Sequence, residues 1–147
     1  MTDPDTPPHA PSVHFSWEEF ACKDYLHTPY PVDIRSERGV PLANELERAR
    51  ALLSFRLHRD CPLWLDSVYR TLAYNAYVGG KPRSQHLAGR AADVRCPHGC
   101  TYAMFRQVLE DVAAEPDSKI RYLCFYPNQG FAHLDTRPTV RLVVEDA

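Results

Sequence analysis

The residues best suited to chemistry lie in Ser84-Gln85-His86-Leu87-Ala88-Gly89-Arg90-Ala91-Ala92-Asp93, where an imidazole and a carboxylate sit seven positions apart across small side chains. Gly89 lets the chain turn, so a loop His86 can meet an Asp93 on the strand that follows. A second pair lies in Gly130-Phe131-Ala132-His133-Leu134-Asp135. On a strand, His133 and Asp135 share a face because side chains alternate. Two imidazoles and one carboxylate make an open site for one zinc ion (Zn2+), with a fourth position left for water. Zinc lowers the pKa of such water towards about 7 and polarises a substrate carbonyl. Taken alone, the same spacing also arises among surface residues and among groups that stand behind a ligand.

Secondary structure must bring these residues together. Pro4, Pro7, Pro8 and Pro11 predict a flexible proline-rich arm over residues 1–13, followed by a single folded domain over 14–147. Ser16-Trp17-Glu18-Glu19 has the form of a capping box and predicts a short helix that buries Trp17 and Phe20. Residues 27–40 read as loop. Leu42, Leu46, Ala49, Leu53 and Leu57 recur at helical spacing and predict a helix over 41–59. A strand is expected at 63–69, a long ordered loop at 71–90 and a short strand at 91–95. A second amphipathic helix is expected over 102–114, with Met104, Phe105, Val108, Leu109 and Val112 inward. Three late strands, at 120–125, 131–136 and 140–144, complete an α+β fold with a small antiparallel sheet and flanking helices.

Composition narrows the class further. The chain has 147 residues, 44% hydrophobic and 24% charged, which suits one globular domain rather than a disordered chain. Its 17 basic and 19 acidic residues give a formal net charge of -2 and no overall pull towards nucleic acid or an anionic membrane. No apolar run approaches the roughly 20 residues that span a bilayer, so membrane insertion is not expected. The start lacks the basic and apolar regions of a secretory signal, so synthesis in the cytoplasm is expected. Five cysteines at irregular spacing do not read as a disulfide scaffold.

Ser84-x-His86-x-x-Gly89-x-Ala91-x-Asp93 resembles, at every defined position, the motif of the M15 zinc peptidases. The likeness extends to the flanks: His14-Phe15-Ser16-Trp17-Glu18-Glu19-Phe20, Tyr69-Arg70-Thr71, Asn75, Gly79-Gly80, Tyr126-Pro127 and Gly130-Phe131-Ala132-His133-Leu134-Asp135-Thr136. It is similar to the C-terminal peptidase domain of subfamily A, which includes D-alanyl-D-alanine carboxypeptidases. The resemblance implies a D-Ala-D-Ala peptidase-like zinc fold in which His86, Asp93 and His133 ligate the metal. It also implies that Arg70 binds the substrate's carboxylate or a peptide carbonyl, and that Ser84 donates a hydrogen bond to the peptide. Without the peptide, Arg70 reads as an ion pair pinning the long loop, and Ser84 as a loop-capping hydroxyl. Tyr126 and Asn128 are expected to line the cleft.

The family usually carries an acid three positions before the last histidine, and here that position is Gly130. Asp135 is the expected catalytic carboxylate because it shares a strand face with His133, and its other reading is a partner that orients a ligand imidazole. The implied activity is hydrolysis of a peptidoglycan stem or cross-link peptide next to a D-amino acid, as a D,D-carboxypeptidase or endopeptidase. The rival is a non-catalytic, zinc-containing cell-wall-binding or structural module of the same fold, which Gly130 favours. The enzyme would act on the cell wall after release or delivery, as a phage lysin, virion component or secreted effector. Cys96-Pro97-His98-Gly99-Cys100 also groups metal-binding residue types, but has no matching second half.

Overall fold

A computed structural model describes residues 9–147. Residues 1–8 of the expected arm lie outside the described residues; Pro11, within the rest of it, is buried. The capping box forms as expected. Ser16 Oγ accepts from the Glu19 amide at 3.2 Å, the Ser16 amide donates to Glu19 Oε1 at 3.0 Å, and helix α1 (Trp17–Phe20) follows. The loop at 27–40 contains a 3-10 turn (Val32–Ile34) and a π turn (Arg35–Gly39) that lead directly into α2 (Val40–Leu57). Leu42, Leu46, Ala49 and Leu53 bury the α2 stripe, and His58 ends the helix in the left-handed region.

Five strands follow: β1 (Leu65–Ser67), β2 (Ala91–Arg95), β3 (Tyr122–Tyr126), β4 (Phe131–Asp135) and β5 (Val143–Asp146). Between them lie α3 (Leu72–Tyr77), a short helix inside the expected long loop, and α4 (Tyr102–Ala113). The sheet order is β1-β2-β4-β3-β5. Four of the strands pair antiparallel, but β5 pairs parallel with β3, so the sheet is mixed rather than purely antiparallel. The reason is topological. The short link after β4 reverses the chain, while both edges of β4 are already taken by β2 and β3. The last strand therefore joins the free edge of β3, running the same way as β3.

Alternation divides the sheet into two faces. Ala92, Val94, Leu123, Phe125, Ala132 and Leu134 enter the core with the inward residues of α2 and α4. Asp93, Cys124, His133 and Asp135 face the other way. Registered pairs set Asp93 opposite His133, and His133 opposite Cys124. Among the described residues, no helix is long and apolar enough to cross a membrane.

The loop over the second face is held by an aromatic cluster. Tyr30 is fully buried among Trp17, Phe20 and Tyr69, with ring centroids 5.3–5.9 Å away. Its hydroxyl donates to the Gly89 carbonyl at 2.6 Å. Gly89 takes φ +71°, and an added Cβ would lie 2.7 Å from the Tyr30 oxygen, so both backbone geometry and space require glycine there. This turn hands the chain from His86 to β2.

Candidate metal centre and cleft

His86, Asp93 and His133 converge, with a potential ligand atom from each lying within 4.8 Å of the others. Backbone and side-chain partners decide which atoms face inward. His86 Nδ1 lies 2.6 Å from the Val68 carbonyl oxygen. A carbonyl only accepts, so Nδ1 carries the proton and Nε2 presents a lone pair. His133 Nε2 lies 2.8 Å from Asp135 Oδ2, so that nitrogen donates and Nδ1 presents the lone pair. Both lone pairs point at Asp93 Oδ1, 3.2 Å from His86 Nε2 and 3.1 Å from His133 Nδ1.

With both rings neutral in these tautomers, three acceptors converge with no donor among them, an arrangement that a positive charge resolves, whether a metal ion or a proton on a ring nitrogen. His86 Nε2 is buried and has no hydrogen-bond partner. Such a group costs about 1–3 kcal/mol if left unsatisfied. Two imidazole nitrogens and a carboxylate oxygen are the donor set of an open catalytic metal site, so the residues present fit a metal. Burial pushes the His86 pKa down, which keeps the ring neutral and ready to ligate. Burial alone would also lower His133, but the Asp135 and Asp93 carboxylates outweigh it and raise the pKa. Asp93 is held well below the usual carboxylate range, because the two imidazoles overcome the opposing effect of burial.

Supporting side chains steady each ligand. The Arg70 fork donates to Ser67 Oγ at 3.0 Å, Asn75 Oδ1 at 3.2 Å and Asp93 Oδ2 at 3.2 Å. It thus holds the outer oxygen of Asp93 while the inner one faces the imidazoles. Asp135 is 0% exposed. Arg137 Nε donates to its Oδ1 at 2.8 Å and Arg137 Nη2 to its Oδ2 at 2.7 Å. Both Asp135 oxygens are therefore engaged behind His133, the geometry of the orienting role rather than of a base open to cleft water. Ser84 Oγ accepts from the His86 amide at 3.2 Å, as a loop-capping hydroxyl does.

These residues floor a cleft of about 560 Å³. Arg70, Ser84, His86, Asp93, His133 and Tyr126 all line it, as the sequence led us to expect. Asn128 does not: it lies in the exposed 3-10 turn Pro127–Gln129, outside the cleft wall. Sequence reasoning missed Tyr122, Arg137 and Glu145, which also line the cleft. Tyr122 stands two residues before Cys124, so strand alternation puts it on the site face, which is the signal that could have found it. Arg137 stacks its guanidinium 4.1 Å above the Tyr122 ring.

An imidazole–carboxylate triad at the floor of a cleft could hold a metal ion with a position open to water, as a metal-dependent hydrolase requires. The peptidase M15 family pattern matches residues 13–135, and the chain belongs to that family of metallopeptidases. No curated protein matches the chain at a significant level. Membership makes a peptide the substrate class.

Proposed function

We propose that the chain is a zinc-dependent peptidase of the D,D-carboxypeptidase or endopeptidase type, hydrolysing peptidoglycan peptide bonds next to D-amino acids. The observation that carries this reading is the convergence of His86 Nε2, His133 Nδ1 and Asp93 Oδ1, with His86 Nε2 buried and unpartnered. His86, Asp93 and His133 would hold one Zn2+, which when bound polarises a carbonyl and lowers the pKa of water. The protein's own side chains do the rest. Arg70, at the cleft wall, carries a permanent charge and a planar fork suited to a substrate carboxylate or carbonyl. Binding there requires only that one of its nitrogens be shared with the peptide. Ser84 and Tyr126 flank the bound chain, and Asp135 with Arg137 keeps the His133 ring in its ligating orientation. The substrate lies in the cell wall, so the protein would act there after release or delivery.

Gly130 supports one rival, a non-catalytic zinc-containing module that binds the wall. Incubation of metal-loaded protein with purified muropeptides, with and without a chelator, separates the two readings. The peptidase gives product whose masses report a cut next to a D-residue, lost on chelation and restored by Zn2+. Binding with no chelator-sensitive product would overturn the peptidase reading in favour of the rival.

A further inference from the structure

We propose that Glu145, on the edge strand β5, is the carboxylate that takes and returns the proton in hydrolysis. This rests on the peptidase reading above. Gly130 leaves the usual acidic position empty of any side chain, and its φ of +73° disfavours a residue with a Cβ there. Asp135 is sealed behind His133. Among the described residues that line the cleft, Asp93 and Glu145 are the two carboxylates, and Asp93 belongs to the triad.

The sheet register brings Glu145 to the right row. Asp93 pairs with His133, His133 with Cys124, and Cys124 with Glu145. Side chains at directly paired positions share a face, so all four stand in line across β2, β4, β3 and β5. Glu145 lies two strand spacings from His133, on the order of 10 Å between backbones. Only the short, nearly buried Cys124 stands between them in that row. Tyr122 joins the two ends. Its ring meets the His133 ring edge-on at 5.6 Å, and its hydroxyl donates to Glu145 Oε2 at 2.7 Å. That bond ties one carboxylate oxygen of this cleft-lining residue and leaves Oε1 free of any bond to Tyr122. The family match ends at Asp135, so β5 lies outside the matched residues.

The step balances. Glu145 accepts a proton from the attacking water as the water oxygen bonds to the peptide carbonyl carbon. When the carbon–nitrogen bond breaks, Glu145 returns that proton to the departing nitrogen. The products are a carboxylate and an amine, with the second water proton released to the amine or solvent.

The test uses the full chain, muropeptides from purified peptidoglycan, and Zn2+ affinity by chelator competition. Glu145→Gln should lower kcat by about 10²–10⁴-fold, the usual contribution of a positioned acid–base group. KM and Zn2+ affinity should stay within twofold. Formate should restore activity to Glu145→Ala, since a small carboxylate can occupy the space. Asp146→Asn, whose carboxylate pairs instead with Arg106, should cleave like wild type. Wild-type cleavage matched by Glu145→Gln overturns this inference alone. Loss without formate recovery assigns Glu145 only to the support of Tyr122 and also overturns it. Failure of the wild type to cleave overturns the peptidase reading together with this one.

Discussion

Two groups of metal-binding residue types flank strand β2. On its cleft face, His86 and His133 bracket Asp93. Just past its end, Cys96, His98 and Cys100 crowd into one turn, and Cys61 and Cys96 line a common surface pocket with His98. The second group looks richer by composition, yet the first is the one assembled. At β2 every potential ligand has a partner that fixes its lone pair: Val68 for His86, Asp135 for His133 and Arg70 for Asp93. In the turn the thiols donate their protons to carbonyls instead, Cys96 to Cys100 at 3.5 Å and Cys100 to Thr101 at 3.3 Å. Burial, with Cys100 beside it, pushes the Cys96 thiol up to about 11. A metal needs the thiolate. The lesson is that supporting partners, more than the density of ligand types, make a site.

The largest effects are expected at the ligands themselves. His86→Ala, Asp93→Ala or His133→Ala should weaken Zn2+ binding well beyond the roughly 100-fold typical of a supporting residue, and should abolish muropeptide cleavage. Cys96→Ser and Cys100→Ser should leave both unchanged within twofold. Calorimetric titration reads the affinities directly. A tight site surviving in His133→Ala would reverse the ranking of the two groups.

The supporting partners give the next largest effect. Asp135→Asn retains the size of the side chain but removes the charge that holds His133 Nε2–H. Zn2+ affinity should fall about 10–100-fold. If Asp135 acted only on the substrate, affinity would hold and kcat alone would drop.

Further from the metal, Tyr30→Phe leaves the buried Gly89 carbonyl without its donor. Urea unfolding should show about 1–3 kcal/mol of lost stability, while the Zn2+ stoichiometry stays unchanged. Unaltered stability would mean that the loop carrying His86 is not held from beneath.

The smallest effect concerns the thiols. Alkylation of Cys96 should be slow at neutral pH and accelerate as the pH climbs towards about 11. Fast modification at neutral pH would show a thiolate already present, and the contrast with the cleft would weaken.

Much of this was legible in the sequence, for identifiable reasons. Ser16 and Glu19 form a local motif, the Leu42–Leu53 stripe is periodic, and His133 with Asp135 obeys strand alternation, so α1, α2 and the site face of β4 could be read directly. The stretch from Ser84 to Asp93 gave the loop histidine and strand aspartate because Gly89 marks the turn between them. What could not be read depends on distant pairing. Nothing local says that β5 must cross to β3 and carry Glu145 into the cleft. The Val68 carbonyl that fixes the His86 tautomer is backbone, invisible as a residue type. Asp135 was placed on the correct face, but its role depended on Arg137 closing over it from two residues further on. Asn128 was expected at the cleft from its nearness in sequence to His133, yet the Pro127–Gln129 turn carries it outward.

One metal ion is expected between His86, Asp93 and His133. Titration of metal-free protein with Co2+, followed by visible absorption, tests it most directly. The expected result is one Co2+ per chain, a spectrum of nitrogen and oxygen ligation, displacement by Zn2+ and no such signal in His86→Ala. No uptake by folded protein, or a thiolate charge-transfer band that disappears in Cys96→Ser, would contradict it.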